Sequence, residues 1–176
     1  MGPDVRDALK FHETWVAQGE WWRWVSAHWA HLGWQHGLLN GAGFLLLAWL
    51  NPRGPIWAWA LFYLSASLLI SAHLQFNLRL GGYVGASGVL HGLLILGAWY
   101  SQWLEPLRRW AMVLLISAKL VYEQTPFYSD ADIASAIGGH VVVDAHLIGG
   151  VCALAWLLIH FFYSRHRRSQ TQLHSD

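Results

Sequence analysis

Charge is scarce in this chain: 12% of its 176 residues are Asp, Glu, Lys or Arg, about half the share usual in a soluble domain. Between Trp24 and Ser164 only five acids and five bases interrupt long apolar stretches. That scarcity argues against an ordinary water-soluble globule, and the 55% hydrophobic content excludes intrinsic disorder. Cysteine is nearly absent. Cys152 stands alone in an apolar run, so there is neither a disulfide framework nor a thiolate metal cluster. The formal net charge of +1 gives no reason to expect a nucleic-acid partner. No segment alternates with period two, which argues against a membrane barrel. What remains is a small, all-α polytopic membrane protein of one domain, with little room for a second, carrying 13 Trp.

A helix needs about 20 mostly apolar residues to cross the hydrocarbon core. Five segments are candidates: 28–50, 56–74, 84–104, 110–123 and 139–163, the fourth short and interrupted by Lys119. Asn51-Pro52-Arg53-Gly54-Pro55 makes a turn, Gly81-Gly82-Tyr83 precedes the third helix, and Glu105-Pro106 is read as its end. The stretch 124–138 holds Pro126, Asp130 and Asp132 and no base, and reads as an exposed loop. Lys and Arg set the orientation. Arg165, Arg167 and Arg168 put the tail, 164–176, in the cytoplasm, and alternation adds Arg53, Arg108 and Arg109; six bases then lie inside against four outside.

Residues 1–27 interleave Trp15, Trp21, Trp22 and Trp24 with Glu13, Glu20 and Arg23. Such density suits an interfacial segment against the outer leaflet, followed by a transmembrane domain over 28–163. No apolar core of a signal peptide precedes it. An odd number of spans with an outer N-terminus leads to the expectation of one further helix upstream.

Polar groups inside a membrane are costly and point to function. His36 and Asn40 share one helix face at i,i+4. Gly85-Ala86-Ser87-Gly88 opens the third helix with His91 four residues after the serine, and His146 lies in the fifth. These are the parts of an acyl-transfer site. Ser87 is the nucleophile, a neutral imidazole takes its proton, and His36, Asn40 and the Ser87 amide donate to the oxyanion. Counting at 1.5 Å per residue, His36 and His146 lie about 10–12 Å below the outer surface, so both can meet Ser87. Asp144 is about 200° round the helix from His146 and cannot easily orient it.

At these residues the chain resembles the rhomboid intramembrane serine proteases. The family's Gly-x-Ser-Gly motif matches Gly85-Ala86-Ser87-Gly88, its His-x-x-x-Asn helix matches His36 to Asn40, and its Ala-His-x-x-Gly helix matches Ala145 to Gly149. Its Glu-x-Trp-Arg signature matches Glu20-Trp21-Trp22-Arg23. Many rhomboids carry a tyrosine where this chain has His91, and that departure, with Lys119, Glu123 and Gln124, resembles the rhombosortase subgroup. The resemblance implies a rhomboid-like helical bundle lacking the first of six core helices, and a Ser87–His146 dyad without a catalytic acid. It implies Gly149 as the close-packing residue between the third and fifth helices. His91 supports His146 by stacking or a hydrogen bond, or contacts substrate, and Gly85 and Gly88 let a substrate approach. Phe127 and Tyr128 cap the site from the 124–138 loop. No cofactor or metal is implied. The implied partners are the lipid bilayer and single-span proteins with a C-terminal Gly-Gly sorting helix, in a bacterial inner membrane, with the site opening to the periplasm.

Plainer readings stand beside these. Ser87 alone would serve as a helix cap, and His36 with Asn40 as interhelical glue. His28, His31, His73, His140 and His160 read as interfacial, and Lys119–Glu123 as a pair snorkelling outward. Two other classes compete: a catalytically inactive relative that binds transmembrane helices, and a haem or metal protein ligated by His36, His91 and His146.

Overall fold

The apolar stretches fold as helices, as they must wherever their backbone groups are to be satisfied locally. The computed structural model describes residues 3–77 and 82–173; Met1, Gly2, Arg79, Gly81 and the last three residues of the tail lie outside them. Regular structure among the described residues is helical, apart from one isolated bridge between Phe11 and Tyr83. Three short helices come first: α1 (Pro3–Leu9), α2 (Glu13–Ala17) and α3 (Arg23–Ser26), the last running into a 3-10 turn at Ala27–Trp29. Then follow α4 (Trp34–Leu50), α5 (Ile56–Asn77), α6 (Ser87–Trp99), α7 (Pro106–Tyr122), α8 (Ala131–Ile137) and α9 (Val143–Leu173).

Two of these, over Ile56–Phe76 and Val143–Arg167, are long and apolar enough to cross a membrane by length and composition. The five expected segments match α4, α5, α6, α7 and α9, with shifted ends. Helix α4 starts at Trp34 and not at 28, because the 3-10 turn and the extended Ala30 interrupt it. Pro106 does not end α6, which stops at Trp99; it occupies the first turn of α7, where a missing N–H costs nothing. The 124–138 stretch is not all loop, since α8 forms within it.

Helix α6 is the axis of the fold. Nine of its 13 residues are buried, and α4, α5, α7 and α9 surround it. Its main partner is α9, and glycines make that contact close. A Cβ on Gly88 would lie 2.7 Å from the Ala145 carbonyl oxygen, one on Gly92 would strike the Gly149 carbonyl, and one on Gly149 would strike the Gly88 carbonyl. Backbone therefore lies on backbone along this seam. The outward faces are unlike those of a water-soluble bundle: Leu45, Leu69, Leu115, Ile159 and Phe162 are exposed.

The N-terminal helices are held to the rest by polar bonds. Arg23 is buried; its guanidinium donates to the carbonyls of Asp7 and Lys10, both at 2.7 Å, pairs with Glu20 and stacks on Trp15. Ser26 Oγ donates to the Leu9 carbonyl. Phe11 and Tyr83 exchange backbone hydrogen bonds of 3.0 and 3.1 Å, and the Gly85 amide donates to the Ala27 carbonyl. The segment leading into Ser87 is thus fastened to residues 11–27. Arg23 thus acts as a staple rather than as a surface charge.

Candidate active site

Ser87 is the first residue of α6, so its backbone N–H belongs to the unbonded first turn of a helix. Gly85 before it has φ of 135°, and a Cβ there would lie 2.8 Å from the His36 ring. Both conditions require glycine. Across the glycine seam, His146 Nε2 lies 2.9 Å from Ser87 Oγ. The imidazole is 5% exposed and its other nitrogen, Nδ1, lies 3.0 Å from Glu123 Oε2. A carboxylate accepts there, so Nδ1 carries the hydrogen and Nε2 presents its lone pair to the serine hydroxyl.

From α4, His36 and Asn40 are both buried and line the same small cavity, about 110 Å³, as Ser87 and His146. The Leu32 amide donates to His36 Nδ1 at 3.4 Å, which leaves Nε2 as the donor of a neutral ring, packed against Gly85 near the serine. Asn40 Nδ2 has no hydrogen-bond partner. A buried donor left unmade costs about 1–3 kcal/mol, and such a group in the same cavity as a serine hydroxyl is a donor that a transient anion can use.

His91 lies ring on ring with His146, centroids 4.2 Å apart, and its Nδ1 is 2.7 Å from the Ser87 carbonyl oxygen. The Lys119–Glu123 pair forms at 2.6 Å, yet it does not snorkel, because Glu123 is 4% exposed and its carboxylate turns inward to His146. That carboxylate is the group sequence reasoning missed. Asp144 is turned elsewhere and pairs with His73 at 3.4 Å.

The cap over the cavity also differs from expectation. Phe127 is exposed and Tyr128 half-buried, and neither lines the cavity. Ile133 and Ile137 of α8, with His140, Val141 and Val142, cover it instead. The loop swings back to place α8 because Asp130 accepts from the Val141 amide at 2.8 Å and from His140 at 3.2 Å. His28, read as interfacial, is fully buried, facing Ser71 and the Tyr83 ring.

The Val141 amide, and secondarily His140, hold the Asp130 carboxyl below the usual carboxylate range. A carboxyl lowered in the folded chain stabilises it above the unfolded value, and that contribution is lost as pH falls through the folded value. Amide exchange at Val141 should therefore be protected equally at pH 7 and pH 5 and lose protection only as pH falls past the ordinary carboxylate value of 3.8 and through the lower folded one. Asp130→Ala should expose it at every pH. Protection unchanged in Asp130→Ala would contradict this closure of the loop.

Among the described residues no group of three or more His, Cys, Asp or Glu side chains is placed to hold a metal ion. Both nitrogens of His146 are engaged and His91 is stacked on it, so the three imidazoles do not converge on one point. What the constellation offers is a hydroxyl, a base aimed at it and donors around an anion-sized space. No protein-family model, curated protein or solved structure matches the chain.

Proposed function

We propose that this protein is an intramembrane serine endopeptidase of the rhomboid type, closest to the rhombosortases. The observation that carries the reading is the 2.9 Å approach of His146 Nε2 to Ser87 Oγ beside the partnerless donor of Asn40. Ser87 Oγ attacks the scissile carbonyl carbon and its proton passes to His146. The oxyanion accepts from His36 Nε2–H, Asn40 Nδ2–H and the Ser87 amide. When the C–N bond breaks, His146 returns the proton to the leaving amine, leaving an acyl ester on Ser87. Water then attacks the ester, giving one proton to His146 and through it restoring the serine hydroxyl.

The membrane setting is supported by the two long apolar helices, of whose windows only 28% is buried, and by the leucines facing outward. In this reading α4, α5, α6, α7 and α9 are five spans with the C-terminus in the cytoplasm. Helix α6 has 13 residues, about 20 Å, against about 30 Å of hydrocarbon. If its far end reaches the inner face, Ser87 sits roughly 10 Å below the outer one. The small cavity suits a small side chain at the cleaved position, in line with a Gly-Gly sorting helix as substrate.

A fluorophosphonate probe should label the wild-type protein in liposomes and leave Ser87→Ala unlabelled. Co-expression with a Gly-Gly-tailed membrane protein should yield a trimmed product only with intact Ser87. Equal trimming by both forms would overturn the reading. Asn40→Ala should lower kcat by about 10²–10³-fold, or about 2.7–4 kcal/mol of transition-state stabilisation. Its melting temperature should not fall, since Nδ2 loses no partner. The opposite pattern, lower stability with full activity, would make Asn40 a packing residue.

A further inference from the structure

The groups behind His146 close into a ring. His146 Nδ1 meets Glu123 Oε2 at 3.0 Å, Glu123 Oε1 meets Lys119 Nζ at 2.6 Å, and Lys119 Nζ meets His91 Nε2 at 2.7 Å. His91 Nδ1 meets the Ser87 carbonyl at 2.7 Å, and the His91 ring lies on that of His146. A carbonyl donates nothing, so His91 Nδ1–H is the donor to Ser87 and His91 Nε2 keeps a lone pair. That lone pair accepts from the Lys119 ammonium, which donates a second hydrogen to Glu123. Glu123 in turn accepts from His146 Nδ1–H. Each contact in the ring then joins a donor to an acceptor, and the sequence ends with the basic nitrogen of His146 aimed at the nucleophile.

We propose that Glu123 and Lys119 are positioning residues of the Ser87–His146 pair: Glu123 orients the imidazole, and Lys119 locks Glu123 and His91 in register behind it. The proposal rests on the peptidase reading. An unpaired carboxylate as buried as Glu123 would be costly, and Lys119, 43% exposed at its side chain, supplies the counter-charge from the rim. When His146 accepts the serine proton, the carboxylate in direct contact stabilises the imidazolium, while the ammonium one group further back opposes it. The two charges therefore act on the base with opposite sign. The other groups facing this cluster are His36 from α4, His91 from α6 and Tyr128 from the following loop.

The test uses the full chain in liposomes, with the rate of fluorophosphonate labelling measured against pH. Glu123→Gln should slow labelling roughly 10³–10⁴-fold at neutral pH, because an amide N–H facing Nδ1 favours the wrong tautomer. The acid limb of the profile should move to lower pH in Glu123→Gln and to higher pH in Lys119→Met, with Lys119→Arg restoring the wild-type limb. A purely structural role would lower the rate and leave the limb in place. Should Glu123→Gln not fold, Lys119→Met decides, since it alters neither Glu123 nor His146 itself. Wild-type labelling in Glu123→Gln, or an unmoved limb in Lys119→Met, overturns the proposal. Ser87→Ala separates the two readings: if it still labels, the peptidase reading falls; if it does not and Glu123→Gln labels normally, only the relay falls.

Discussion

Replacing Ser87 by Ala is expected to lower turnover about 10⁶-fold, and replacing His146 in the same chain should slow it no further. In the proposed peptidase, nucleophile and base act as one device. Without the imidazole the hydroxyl keeps its proton, and without the hydroxyl the imidazole has nothing to deprotonate. The 2.9 Å bond between them is the direct link from the serine hydroxyl on α6 to the base on α9. Residual activity in Ser87→Ala, His146→Ala and the double variant should be similar and should come from the donors around the cavity, His36 and Asn40. Single-turnover rates on a Gly-Gly-tailed peptide in liposomes measure this. Losses that multiply in the double variant would mean two groups acting independently, and the hydrogen bond would then have no part in catalysis.

Gly149→Ala should be the most damaging change that removes no polar group. Its new methyl would land on the Gly88 carbonyl oxygen, and neither helix backbone can yield without shifting the other. Relieving the collision takes α9 about 1 Å away from α6, which carries His146 off Ser87. A displacement of that size costs about 10² in rate, and the forced overpacking costs about 1–3 kcal/mol of stability. Gly41→Ala is the control. Nothing lies within 4 Å of a Cβ at Gly41, so a helix-favouring residue there should leave activity and melting temperature unchanged or slightly raised. A Gly149→Ala protein as active as wild type would show that the seam is looser than its contacts indicate.

Much of this arrangement is legible before any coordinates. Hydropathy finds the five apolar helices, and helical spacing puts His36 above Asn40 and Ser87 at the head of α6. The parts that escape such reasoning share a cause. Glu123 has a satisfactory local partner in Lys119 one turn back, so periodicity reads the two as a surface pair. Only the packing of α7 on α9 turns one carboxylate oxygen inward to His146. Helix α8 is seven residues long and mixed in polarity, and isolated helices of that length are marginal. It forms because Asp130 and the 138–142 segment close the loop around it. Likewise the Trp-rich beginning is evident from composition, but the burial of Arg23 among main-chain carbonyls depends on where α1 ends.

The bridge between Phe11 and Tyr83 gives those first residues a second significance. Translation delivers them long before the serine that they brace, so the nucleophile acquires its final backbone shape only when two distant stretches of chain have found each other. Neither partner helix of the reacting pair belongs to that early segment. Under the peptidase reading, a chain clipped or unpinned at α1–α3 would thus retain every reacting side chain, and such a molecule would be dormant rather than damaged.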